Sequence, residues 1–354
     1  MGELCKKAGV CTVGNVFLAG VGCVLPPAVP VAEAVAAGAW TKRDAADTQQ
    51  LAVTVASDEQ YSPDLAVDAA RLALGRARRS PDKIALALHC MMLTPGGRLW
   101  HGAPYVHRQL GAPTGRCLAS DLDAGCDGVL VALELASAYL AARNEDDLAI
   151  ITAGDCWREH EVDRWRTSSN PFGDGAAAVV VSREAGFARI AGIASRSDPE
   201  LEPIGRGLNP FAPEREKLTG PVYLRTRHEE IVDGERIWEA IAEDVRSVVR
   251  SATEQAGIAL SDVDYVVCPF LGLQLTTQQF LAPLSIDLSI TPWEFSRRVG
   301  HIGPADPLAG LDHLVNVERV RWRYILLLAH GLGGTTTAVV LESSGQDRQL
   351  NGDQ

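Results

Sequence analysis

The chain reads as one α/β unit written twice, and this repetition constrains its fold more than any single motif. Residues 64–79 carry apolar side chains at Leu65, Ala66, Ala69, Leu72 and Leu74, the spacing of an amphipathic helix. Ser80-Pro81-Asp82 and a strand-like stretch over 84–88 follow. About 175 residues later the phrase returns as a helix over 238–257, the turn Ser261-Asp262-Val263-Asp264 and a strand over 265–267. Two further pairs recur in the same order. The helical pattern 128–143 leads into the apolar strand 148–152, as 308–317 leads into 324–329. Phe172-Gly173-Asp174-Gly175 precedes the run 176–181, as Gly331-Leu332-Gly333-Gly334 precedes 337–341. Helices alternating with short β-branched strands predict a layered α/β architecture. The repetition predicts two halves, residues 1–185 and 186–354, with the Pro- and Gly-rich stretch 197–222 as a loop or lid opening the second.

A chain of 354 residues with 46% apolar and 22% charged residues has ample core, which excludes disordered, collagen-like and coiled-coil classes. Its net charge of −12 argues against nucleic acid or an anionic membrane as partner. Any anionic substrate must meet a local basic patch. The eight cysteines show no CxxC and no regular spacing, the pattern of free thiols in a reducing cytosol, so a cytoplasmic location is expected. Lys6 and Lys7 precede an uncharged stretch, 8–32, that resembles a signal peptide. Pro26, Pro27, Pro30, Gly14, Gly20 and Gly22 interrupt it too often for a spanning helix, and a buried strand over 16–25 fits better.

The densest chemistry is Ser120-Asp121-Leu122-Asp123-Ala124-Gly125-Cys126-Asp127-Gly128, ahead of the helical pattern. A cysteine at a strand-to-helix turn sits at the positive end of a helix dipole, which favours thiolate, and the flanking glycines let backbone N–H groups approach a bound carbonyl oxygen. The neighbouring carboxylate of Asp127 works against that. From position alone, Cys126 is either a nucleophile or a small buried hydrophobe. In Gly300-His301-Ile302-Gly303-Pro304-Ala305-Asp306, a histidine lies in a Gly-bounded turn with Asp306 at a helix start, followed by Pro307. Either Asp306 holds the imidazole or it only caps the helix. The run 331–334 matches no nucleotide-binding pattern and reads as a tight turn or an oxyanion donor. Cys156, His160, Glu161 and Asp163 match no closed zinc spacing, and Arg158, Arg164 and Arg166 beside them oppose a cation, so no metal is expected. Arg319, Arg321 and Arg323 read as a solvated face.

Taken in order, these phrases resemble the ketoacyl-carrier-protein synthase III family of the thiolase superfamily. Residues 121–128 resemble its cysteine turn D-x-x-A-x-C-x-G; Val162-Asp163-Arg164 echoes its D-x-D-R segment; Phe172-Gly173-Asp174-Gly175-Ala176 matches F-G-D-G-A; and 326–334 match its closing strand and glycine loop. The resemblance implies a duplicated, five-layered αβαβα thiolase-like fold and a homodimer paired through a first-half strand. Two departures stand out. Where decarboxylating members carry H-Q-A-N, this chain has Val267-Cys268-Pro269-Phe270-Leu271-Gly272, and neither Pro269 nor Gly272 has a side chain that donates a hydrogen bond. Where they carry Gly-Asn, it has Gly300-His301. The phrase G-H-x-G-x-x-D resembles instead an acyltransferase branch of bacterial natural-product pathways, including polyketide and antibiotic biosynthesis.

That resemblance implies ping-pong acyl transfer without decarboxylation, with Cys126 as nucleophile, His301 as general base and Asp306 as its orienting carboxylate. Backbone N–H groups of Cys126 and Gly333 would hold the oxyanion. The donor would be an acyl carrier protein or a coenzyme A thioester, and the acceptor an oxygen, nitrogen or sulfur nucleophile on a small molecule or second carrier. No resident cofactor is required. Arg206, Arg225, Arg227 and Arg297 are the guesses for a basic entrance. Substituting Asn for His301 is expected to spare loading of Cys126 and collapse transfer, unless His301 also activates the thiol. The rival readings are a decarboxylating condensing enzyme and a catalytically silent partner subunit.

Overall fold

The strand-like runs rich in Val, Ile, Leu and Ala form β-strands buried on both faces, as central strands covered by helices must be. A computed structural model of the chain describes residues 15–96, 99–158, 162–165, 170–206 and 234–345. Its strands are β1 (Phe17–Val24), β2 (Ala28–Pro30), β3 (Ala52–Thr54), β4 (Ile84–Cys90), β5 (Leu118–Leu122), β6 (Leu148–Asp155), β7 (Gly175–Ser182), β8 (Ala188–Ser197), β9 (Tyr265–Val267), β10 (Tyr324–His330) and β11 (Thr335–Ser343). Apart from the β2–β3 pair, they follow the order β5-β4-β6-β7-β1-β8-β11-β10-β9.

The duplication is visible in that order. In the first half β4 and β6 are parallel, and β6–β7 and β7–β1 are antiparallel. In the second, β9 and β10 are parallel, and β10–β11 and β11–β8 are antiparallel. The same four-strand series therefore occurs twice, with β5 added at the outer edge of the first. The two series meet where Phe17 and Leu18 of β1 pair with Arg189 and Ala188 of β8.

Three hydrophobic clusters lie between the layers. The helix Gly128–Ala141 and the helix Asp306–Asp312 contribute Val129, Leu130, Leu133, Leu308 and Leu311 to a central cluster shared with the inner faces of both strand series. Both helices are apolar on most sides, as helices enclosed by two sheets are. The helix Ser62–Ala77 covers the outer face of the first series through Leu65, Ala69 and Ala73. The helix Gly234–Ala256 covers the second through Val245, Val248 and Ala252. The resulting sequence of helix, sheet, helix, sheet, helix is the expected five-layered αβαβα order.

Boundaries shift by small amounts for local reasons. The predicted helix over 308–317 is an α-helix only for Asp306–Asp312 and continues as a π-helical segment, His313–Glu318. Of the expected loop over 197–222, residues 207–222 lie outside the described residues. The part that is described forms short helical turns, Pro199–Leu201 and Pro203–Arg206. No described helix is long and apolar enough to cross a membrane.

Candidate active site

Cys126 lies in a single 3-10 turn, Gly125–Asp127, directly ahead of the helix Gly128–Ala141. Gly125 has φ +58°, in the left-handed region where a Cβ is strained, and this turn brings the chain from β5 onto the helix. The glycine loop after β10 closes against it: a Cβ on Gly331 would lie 2.3 Å from the carbonyl oxygen of Ala124. Gly334 N–H bonds back to Gly331 O at 2.9 Å, so 331–334 is the tight turn expected, with Gly333 at its open side.

His301 comes from the other half. Its backbone is clamped by the Phe172-Gly173 segment: His301 N–H donates to Pro171 O (3.2 Å) and Gly173 N–H donates to His301 O (3.0 Å). The ring rests near Phe172, centroids 5.4 Å apart, and Phe172 stacks on Trp157 at 4.0 Å. Nε2 lies 3.1 Å from Cys126 Sγ, and Nδ1 lies 2.5 Å from Asp306 Oδ2. The set is almost shut off from solvent, with Cys126 8%, His301 5% and Asp306 0% exposed.

Asp306 is the first residue of its helix, yet its carboxylate reaches away from that helix. Oδ1 accepts from Ile302 N (2.8 Å), and Oδ2 accepts from Phe270 N (2.7 Å) as well as facing the imidazole. Of the two readings of Asp306, the geometry is therefore that of an imidazole-orienting group. The segment without the two expected donors, 267–272, has a different use here: Phe270 supplies a backbone N–H to Asp306, and Gly272 supplies one to Asn170 Oδ1.

Burial pulls the His301 pKa down, but the charges of Asp306 and Cys126 and the hydrogen bonds to both outweigh it, leaving it well above the ordinary imidazole value. That direction favours the protonated ring in the resting site. The 3.1 Å contact makes His301 a direct partner of the nucleophile, the alternative the sequence left open beside action on the acceptor.

Asp127, read from the sequence as working against the thiolate, bonds to β11. Its carboxyl is fully buried, accepts a bond from Thr337 Oγ1 (2.7 Å), and is pushed well above the usual carboxylate range by burial. That direction favours the neutral acid. Asp127→Asn is accordingly expected to keep acyl loading within about threefold of wild type. A carboxyl whose folded pKa is raised loses stability as pH rises from about 4, the unfolded value, through the folded one. The variant should lack that loss, so its melting temperature relative to wild type should increase from pH 5 to pH 8. An unchanged gap across that range would show Asp127 to be ionised.

Residues missed in the sequence complete the site. Asp155, at the end of β6, is fully buried and accepts from Met92 N (3.0 Å) and Leu93 N (2.9 Å), with its pKa pushed by burial to about 8. It explains Gly303, where φ is +63° and a Cβ would lie 2.7 Å from Asp155 Oδ2. The segment it anchors brings Met92 Sδ to 3.5 Å from Cys126 Sγ. Asp174 of the Phe-Gly-Asp-Gly phrase is a buried scaffold: Arg164 forks onto both its oxygens at 3.0 Å, and Ala56 N and Trp157 N each donate at 2.8 Å. No signal in one sequence pairs residues 155 and 92, since their contact depends on the β4–β6 register.

The basic-entrance guesses fare unevenly. Arg225 and Arg227 lie outside the described residues, as does the side chain of Arg206. Arg297 donates to Gln49 O (3.0 Å) and Glu294 Oε1 (3.2 Å), so its guanidinium is engaged within the chain. Arg319, Arg321 and Arg323 are exposed, as expected. Of the metal-like quartet, His160 and Glu161 lie outside the described residues, and Asp163 accepts from Trp165 N.

Comparisons with known proteins bear on the family and the fold. The family profile of 3-oxoacyl-[acyl-carrier-protein (ACP)] synthase III matches residues 120–199, and that of its C-terminal part matches 253–343. A 3-oxopimeloyl-[acyl-carrier-protein] synthase of Rhodothermus marinus is 34% identical over 59% of each chain. A beta-ketoacyl-[acyl-carrier-protein] synthase III of Streptomyces coelicolor is 29% identical over 81% of this chain and 84% of its own. Among solved structures, the acyltransferase ChlB3 superposes with TM-score 0.86 at 30% identity, covering 93% of this chain and 98% of that one. FabH of Pseudomonas aeruginosa, at 20% identity and TM-score 0.75, shares the fold. With the nucleophile turn and the histidine loop falling inside the two matched segments, the chain belongs to the 3-oxoacyl-[acyl-carrier-protein] synthase III family of the thiolase superfamily.

Proposed function

We propose that the protein is an acyltransferase that moves an acyl group from a carrier-protein or coenzyme A thioester, through Cys126, to an oxygen, nitrogen or sulfur acceptor, without decarboxylation. The observation that carries this reading is the line Cys126 Sγ, His301 Nε2, His301 Nδ1, Asp306 Oδ2, closed by contacts of 3.1 and 2.5 Å. The sulfur attacks the thioester carbonyl, the C–S bond to the carrier breaks, and the imidazolium returns its proton to the departing thiolate. Backbone N–H groups of Cys126 and Gly333 would hold the oxyanion, each contributing roughly 3 kcal/mol.

Acylation then changes the histidine. Once the sulfur is a neutral thioester, one of the charges that raise the His301 pKa is gone, while burial still lowers it. The ring is thereby released to act as base. It takes the acceptor's proton at Nε2 as the acceptor attacks the acyl carbon, and Cys126 leaves as the thiolate. Asp306 holds Nδ1 throughout and so keeps Nε2 facing the reaction. The acyltransferase ChlB3 among the structural relatives supports this reading. The synthase names of the curated relatives support a second one, C–C bond formation with His301 in place of the missing enolate donors. β5 has an outer edge without a strand partner among the described residues and exposes Leu118 at 52%, which suits pairing of two copies into a homodimer.

Intact-protein mass spectrometry after incubation with acyl thioesters separates the two. Wild-type protein should gain the full acyl mass, including the carboxylate of a malonyl donor, and Cys126→Ala should gain nothing. Loss of carbon dioxide from malonyl thioester would establish the condensing reading instead.

A further inference from the structure

The buried carboxyl of Asp127 is joined to the protein surface by two hydroxyls. Its Oδ2 lies 2.7 Å from Thr337 Oγ1, which lies 2.9 Å from Ser195 Oγ, which in turn bonds Glu134 Oε2. The fold sets each link. Thr337 of β11 and Ser195 of β8 are cross-strand partners. Glu134 follows Asp127 about two turns along the helix Gly128–Ala141. Asp127 and Thr337 are buried, Glu134 is half-buried and Ser195 is exposed.

Counting donors leaves two arrangements of this chain. The other carboxyl oxygen of Asp127, Oδ1, is buried without a hydrogen-bond partner, so a proton on the acid is satisfied only at Oδ2. From there it donates to Thr337, whose own proton turns to Ser195, whose proton turns to the Glu134 carboxylate. Ionised Asp127 instead accepts from Thr337, and Thr337 accepts from Ser195. Ser195 then has no proton left for Glu134, which must carry one itself. Each arrangement holds one proton for two carboxyls. Three short transfers, from Asp127 to Thr337, Thr337 to Ser195 and Ser195 to Glu134, convert the first into the second. Burial raises the Asp127 pKa, the Thr337 bond lowers it, and the charge of Glu134 raises it again, with a net direction that favours the first arrangement.

We propose that Asp127 and Glu134 share one proton along this chain, so that the negative charge rests on Glu134 and not on the residue next to Cys126. Thr337, Ser195 and Glu134 are then positioning residues that act on the nucleophile through Asp127. The other groups packed around Asp127 do not replace Glu134 in this role. Cys90 of β4 is a thiol whose pKa burial pushes up, and the turn Gly303–Ala305 carries no titratable side chain. His330 of β10 bonds Thr336, whose side chain leaves β11 on the face opposite that of Thr337.

The test follows the Asp127 carboxyl by ¹³C NMR of aspartate-labelled protein, its resonance identified by its loss in Asp127→Asn. Ser195→Ala takes the acceptor from Thr337, and Glu134→Gln removes the charge. Each should lower the pH at which this carboxyl ionises by about one unit, as loss of one bond to the acid form allows. Alkylation of Cys126 by iodoacetamide, read by peptide mass, reports the consequence. At a pH between the two midpoints it should be about tenfold slower in Ser195→Ala than in wild type, because an adjacent charge disfavours a thiolate. Adding Asp127→Asn to Ser195→Ala should restore it. A midpoint unmoved in either variant, alkylation that does not follow it, or no restoration by asparagine would each overturn the proposal. Neither readout uses an acyl donor, so failure of the acyl-enzyme reading is a separate result.

Discussion

His301→Asn is expected to slow loading of Cys126 by about 100-fold and transfer from the acyl-enzyme by about 10⁴-fold, the range over which a positioned acid–base group acts. Both half-reactions fall because one nitrogen serves both. Nε2 is 3.1 Å from the sulfur in the resting site, and the same nitrogen must take the acceptor's proton after acylation. Asparagine restores neither the charge that balances the attacking sulfur nor a titratable base. Single-turnover loading by intact mass, followed by addition of acceptor to preloaded enzyme, reads the two steps separately. Loading at the wild-type rate would confine His301 to the transfer step. Transfer at the wild-type rate would remove it as the base.

Asp174→Ala is expected to cost about 3–5 kcal/mol of stability, because it leaves Arg164 charged, buried and unpaired. It also strips the acceptors from Ala56 N and Trp157 N. In a chain of this size the loss corresponds to a fall in melting temperature of roughly 5 °C. Thermal and urea denaturation of the variant should show it. The double substitution Asp174→Leu with Arg164→Met should recover part of the loss, since removing both charges leaves no buried ion unpaired. A single variant within 1 kcal/mol of wild type would show the pair to be solvated. Because Gly173 N–H holds His301 O, the destabilised variant should also lose acyl loading at temperatures where it stays folded.

Much of the architecture was legible because it is written in periodicity. The repeated helix–strand phrases correspond to the repeated series β4-β6-β7-β1 and β9-β10-β11-β8, and the strand over 265–267 has the bounds expected of it. The candidate residues Cys126, His301 and Asp306 were legible because small-residue turns ahead of helices are local signals. Their relation was not. The sequence left open whether Asp306 holds an imidazole or caps a helix, and whether His301 touches the sulfur. The weight of Asp127 against the thiolate was not legible either, because it depends on the protonation of Asp127, which burial against β11 shifts.

By itself, then, the sequence determined the layered α/β class, the doubling of the unit, and which residues stand at the mouths of helices. These follow from side-chain spacing along the chain, where neighbours in sequence remain neighbours in space. Only the tertiary structure decided that Cys126 and His301, 175 residues apart, meet at hydrogen-bond distance. It also decided that Asp155 anchors the loop carrying Met92. Each of these contacts joins one strand series, or one strand, to another. Their distances are set by sheet register and by the packing of the central helices between two sheets, and no local pattern encodes either.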